Sequence, residues 1–143
     1  MSSTNRWGPF LIRTGLGVVM IIHGVGKLMG VGPAAMSISD FAATIGGLGF
    51  PAATALAWLV ALIEFGGGVL LVAGLFVRHA AIGIAINMLV ATVLVHLPQG
   101  FSGYEYTLVL FVMALSLVAT GPGQFSLTHA LFDGELYWPT VDG

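Results

Sequence analysis

A chain of 143 residues in which 57% are hydrophobic and only 7% charged departs sharply from soluble domains, where roughly a quarter of the residues carry charge. Four basic and six acidic side chains cannot clothe so small a fold in water, so a soluble domain is excluded and lipid must cover the outside. The net charge of −2 offers no basic patch for nucleic acid, and the lack of cysteine excludes disulfides, iron–sulfur clusters and c-type haem attachment.

In chain order, Arg6 before an apolar run imitates a secretory signal, but Arg13 and Lys27 interrupt that run and no A-x-A-like site follows. The segment reads as a retained first membrane helix. The uncharged intervals 41–63, 79–104 and 106–132 are each long enough to cross about 30 Å of hydrocarbon. Local punctuation then predicts four spans, about 9–29, 52–76, 80–97 and 104–120. Pro9 suits a first helical turn, Gly49-Phe50-Pro51 announces the second span, Leu97-Pro98 closes the third and Gly121-Pro122-Gly123 stops the fourth.

Residues 30–50 are too polar and glycine-rich to span. Ser39 before Asp40-Phe41-Ala42-Ala43-Thr44-Ile45 fits the cap of a short interfacial helix, and an irregular loop fits equally. The short connections 77–79 and 98–103 make consecutive helices antiparallel neighbours. From Gln124 onward, Phe125, Leu127, Leu131 and Phe132 are interspersed with polar residues, and Tyr137 and Trp138 follow. This tail is expected to rest on the membrane surface. The expected fold is one all-α domain, an up-down-up-down four-helix bundle. Arg6, Arg13 and Arg78 fall on one side and Lys27 on the other, which places both termini in the cytoplasm. Gly26 with Gly30, and Ala57 with Ala61, recur at four-residue spacing and would let helices approach closely.

Ionisable groups in hydrocarbon cost roughly 2.5–3.5 kcal/mol each, so they should face the bundle interior and find partners. Arg13, His23 and Lys27 share one stripe of the first helix, Arg13 and Lys27 being about 40° apart at 100° per residue. Glu64 sits near the middle of the second span, with Gly67 and Gly68 a turn further on, and Asn87 near the middle of the third. His96 and Glu105 lie toward the outer face, where headgroup-level residues are the ordinary alternative. A buried Arg–Glu lock between the first two helices competes with a binding role for Glu64. Haem held by His23 and His96 is disfavoured, because His23 lies about 9 Å of helical rise below the end of its helix while His96 lies at the end of its own. No metal-ligand spacing, phosphate loop or nucleophile elbow appears. His79 and His129 read as solvated surface residues.

Taken together, Arg13, His23-Gly24 with Lys27, Gly49-Phe50-Pro51, Glu64 followed by Gly67-Gly68, Gly74 with Arg78, HLPQGF at 96–101, GYEY at 103–106 and GPGQFSL at 121–127 resemble the DoxX family of small four-helix bacterial membrane proteins. The resemblance covers nearly the whole chain. It implies a bacterial inner-membrane protein of a family whose members are mostly labelled oxidoreductases. The related DoxD type is similar to the membrane subunit of a thiosulfate:quinone oxidoreductase, and other members look like membrane partners of soluble redox or detoxification enzymes. Thr128 departs from the usual pattern, in which an Asp follows the Ser-Leu pair.

The expected function is that of a membrane component of a redox system, handling quinone or another small lipophilic substrate. Glu64 and His23 would act as catalytic groups, with Lys27, Asn87, His96, Glu105 and Arg13 binding substrate. No cofactor is bound covalently and no residue set stores electrons, so a soluble or membrane redox protein would supply them. Membrane lipid and a second copy of the chain are further candidate partners. A non-enzymatic scaffold and a small-solute or proton permeation protein are the competing classes. The same residues predict a cleft opening toward the outer leaflet, lined by His23, Lys27, Glu64, Asn87 and Glu105.

Overall fold

The computed structural model describes residues 4–132, and they are all-helical: α1 Thr4–Met29, α2 Ile38–Gly47, α3 Ala53–Ala73, α4 Val77–Val90, α5 Phe101–Thr120 and α6 Leu127–Phe132. Helix α4 runs on as a π-helical stretch, Ala91–His96, and a 3₁₀ turn, Leu97–Gln99. Four helical stretches among the described residues are long and apolar enough to cross a membrane. The chain is a multi-pass membrane protein.

The boundaries follow from backbone chemistry. Helix α3 ends at Gly74, whose φ of 74° suits glycine, and the Leu75 N–H donates to the Leu70 carbonyl at 3.0 Å in a Schellman arrangement. The turn between α3 and α4 is therefore at 74–76, just ahead of the connection expected at 77–79. Pro9 lies inside α1, which begins before it. Leu97-Pro98 opens the 3₁₀ turn Leu97–Gln99 that ends the third spanning stretch, with Pro98 in its first positions. Helix α2 exists, and its cap is Ser37 rather than Ser39: the Ser37 hydroxyl accepts from the Asp40 backbone N–H at 3.1 Å and lies 2.6 Å from the Asp40 carboxylate. The three-residue offset from Ser37 to Asp40 makes it the better capping partner.

The spanning helices pack in a ring, α1 on α3, α3 on α4, α4 on α5 and α5 back on α1. The close approach of α1 and α3 runs through Gly17, Gly24 and Gly68. A Cβ on Gly24 would lie 2.5 Å from the Phe65 nitrogen, and one on Gly68 would lie 2.8 Å from the Gly17 oxygen. Between the helices lies an apolar core of Leu16, Met20, Leu71, Ile84, Met88, Leu110 and Leu117. Most other large apolar side chains are exposed, as a lipid-facing bundle requires.

Candidate functional site

Three of the predicted residues meet in the bundle interior. The Lys27 Nζ donates to Glu64 Oε2 at 2.6 Å, both side chains being buried, and the Asn87 amide donates to Glu64 Oε1 at 3.1 Å. Each carboxylate oxygen thus has its own donor, which is what a charge in hydrocarbon requires. The pairing depends on backbone proximity: Lys27 follows Gly24 by three residues and Glu64 precedes Phe65, so the glycine contact seats ammonium against carboxylate. The competing Arg13–Glu64 lock is not what forms; Glu64 pairs with Lys27.

From above, the chain folds back over this pair. Gly26 lies against the Ala34 carbonyl, closer than any Cβ would allow, and the Met36 N–H donates to the Gly26 oxygen at 3.3 Å. That return places α2 beside α1 and α3, with the Phe41 ring 4.8 Å from the Lys27 ammonium. An aromatic face attracts the cation and excludes water from it.

His23, one turn before Lys27 on α1, reaches across to α5. Its Nε2 lies 3.3 Å from the Tyr106 hydroxyl, and the two rings are 6.2 Å apart. His23 and Lys27 stand one turn apart on α1, so the two polar pairs are neighbours. Each of the four spanning helices therefore contributes a polar group, with Tyr106 rather than Glu105 doing so from α5. Glu105 is exposed and His96 is partly exposed at the end of the π-helical stretch; neither hydrogen-bonds to this cluster. The π-helical stretch is fixed to α5 by Thr92, whose hydroxyl donates to Met88 O at 2.7 Å and lies 2.9 Å from the Thr107 hydroxyl. Among the described residues, no three His, Asp or Glu side chains gather as a metal site.

Arg13 lies far from the cluster and is 2% exposed. Its guanidinium donates to the Leu71 and Val72 carbonyls at 2.8 and 2.7 Å, and to the Phe125 carbonyl. It caps the C-terminus of α3 and ties the tail to it, a favourable place for a cation. Thr128 completes the tie with a 2.7 Å bond from its hydroxyl to the Gly74 carbonyl, so the hydroxyl at this position holds the tail by donating where a carboxylate could only accept. Arg78 caps α5 in the same manner, donating to Val118 and Ala119 carbonyls. Phe125 packs tilted against the Trp7 ring and edge-on against Phe10, and His129 lies in α6. The expected anchors Tyr137 and Trp138 lie outside the described residues.

The partners of the cluster that sequence reasoning missed are Phe41 and Tyr106. Tyr106 stands beside Glu105 in the GYEY run, and Phe41 follows the helix-capping segment, but neither carries a charge to draw attention.

The DoxX family model matches residues 8–97. A Bacillus subtilis (strain 168) protein named "Putative oxidoreductase CatD" is 29% identical over 136 residues, covering 94% of this chain and 95% of that one. No solved structure matches this chain.

Proposed function

Because the chain belongs to the DoxX family, we propose that it is the membrane component of a redox system, handling a quinone or another small lipophilic substrate together with a partner oxidoreductase. The observation that carries this reading is the Lys27–Glu64–Asn87 cluster in the interior of a lipid-embedded bundle, with a His–Tyr pair beside it at the exposed α1–α5 seam. The oxidoreductase name of the Bacillus relative supports the redox association.

Reduction of a quinone takes two electrons and two protons. Lys27 and Glu64 hold an exchangeable proton between them at 2.6 Å, and Asn87 and His23 offer hydrogen bonds to a ring oxygen. Phe41 over the ammonium keeps water from competing for these groups. The electrons come from the partner, through a flavin, haem or metal centre of its own. The setting is the bacterial inner membrane, with both termini in the cytoplasm.

One observation favours a second reading, a non-enzymatic scaffold: both Glu64 oxygens already have protein donors, as a purely structural lock would require. The two readings separate on purification in native-lipid nanodiscs followed by solvent extraction. Quinone retained at near one per chain, above the level in the surrounding lipid, supports the redox reading. A stoichiometric protein partner with quinone only at the lipid level supports the scaffold.

A further inference from the structure

Among the helix seams of the ring, α1 against α5 is the loosest, and the His23–Tyr106 contact bridges it. This contact has three unusual features. Its length, 3.3 Å, lies just beyond the roughly 2.5–3.2 Å range of protein hydrogen bonds. Tyr106 is 48% exposed, although it lies about 7–8 Å of helical rise inside the start of α5. The second ring nitrogen of His23 has no hydrogen-bond partner among the described residues.

Polar atoms facing lipid without full partners cost free energy, and neighbouring helices usually supply what is missing. Here α3 and α4 are already committed to Glu64, so the remaining partner must arrive from the lipid side. A molecule able to do so is itself lipophilic and carries an oxygen that both accepts from a phenol and meets an imidazole. Behind the pair stand Lys27 and Glu64, whose proton the redox reading requires.

We propose that the α1–α5 seam is the lateral entrance of the site, and that His23 and Tyr106 exchange their mutual hydrogen bond for the carbonyl or hydroxyl oxygen of a quinone-class ring entering from the bilayer. This rests on the quinone reading above. Tyr106 is then a substrate-binding residue: its hydroxyl donates to a quinone carbonyl, and His23 donates to the same oxygen from a protonated ring nitrogen, or accepts from it once the ring is reduced and that oxygen is a hydroxyl.

The test titrates a decyl-tailed benzoquinone into the full chain in phosphatidylcholine nanodiscs, for the wild type, Tyr106→Phe, Tyr104→Phe and Glu64→Gln, with the thermal midpoint measured on the same samples. Tyr106→Phe should bind about five- to tenfold more weakly at an unchanged midpoint, the loss of about one hydrogen bond, while Tyr104→Phe binds as the wild type. An azido derivative of the same quinone should label α1 and α5 peptides containing His23 or Tyr106. Wild-type affinity in Tyr106→Phe together with weakened Glu64→Gln overturns the entrance and leaves the redox reading standing. Labelling confined to α3 and α4 overturns it likewise, and that readout holds even if a variant fails to fold. A wild type that binds no quinone overturns the redox reading itself.

Discussion

Gly24 of α1 sits so close to Phe65 of α3 that a Cβ would lie 2.5 Å from the Phe65 backbone nitrogen, and this contact sets the Lys27–Glu64 separation. Backbone cannot yield as a flexible side chain does, so Gly24→Ala must push the two helices apart. We expect a loss of about 1–3 kcal/mol and a weakened ion pair. Gly66 has open space where a Cβ would be, so Gly66→Ala should be neutral or stabilising by up to about 1 kcal/mol. Equilibrium unfolding of both variants in mixed micelles compares them directly, and equal effects would remove the glycine contact from the account.

The Lys27–Glu64 pair predicts a non-additive pair of substitutions. Lys27→Met leaves a buried carboxylate with only Asn87 as donor, which should cost about 3–5 kcal/mol. Adding Glu64→Gln removes the stranded charge and should recover most of that loss. A double variant as unstable as the sum of the singles would mean that the two side chains do not interact in the membrane.

Arg13 is expected to govern the tail and not the site. Arg13→Ala strands three carbonyl acceptors on α3 and the tail and should cost on the order of 3 kcal/mol. Limited proteolysis should then cut near Phe125 faster, while quinone retention per folded chain stays at the wild-type level. A selective loss of quinone would return Arg13 to the substrate-binding set in which its helical stripe first placed it.

The arginine caps also bear on topology. Arg13 and Arg78 neutralise the C-terminal carbonyls of α3 and α5 at the same end of the bundle, and Lys27 lies toward the other. By the positive-inside bias, both termini are expected in the cytoplasm. Reporter fusions after Gly143 and in the 30–37 connection should report opposite sides, the first cytoplasmic. The reverse result would invert the membrane faces assigned to the site.

The spans were legible because boundaries have local causes, as at Gly49-Phe50-Pro51 ahead of α3 and at Gly121-Pro122-Gly123 after α5; the end of α3 at Gly74 comes two residues earlier than expected. The inward placement of Lys27, Glu64 and Asn87 was legible because charge and amide groups in hydrocarbon have few alternatives. The choice of Tyr106 over Glu105 was not, since adjacent residues differ by about 100° around the helix and helix rotation is settled by packing. Nor was the glycine seam: Gly17, Gly24 and Gly68 are hidden among 21 glycines, and Gly26, which the four-residue spacing singled out, packs on the Ala34 carbonyl instead. Thr92 of the π-helical stretch meets Thr107 of α5 across two helices, a contact that a local pattern does not encode.

The central claim is that the Glu64 carboxyl serves a ligand as well as the fold. The most direct measurement is quinone retained per folded chain by Glu64→Gln beside the wild type, purified in the same native-lipid nanodiscs, with thermal midpoints recorded on both. The amide preserves shape but removes the counter-charge of the buried Lys27 ammonium, so a lowered midpoint is expected, and per folded chain the account predicts quinone reduced to the level of the surrounding lipid. A folded Glu64→Gln protein that keeps its full quinone would contradict it.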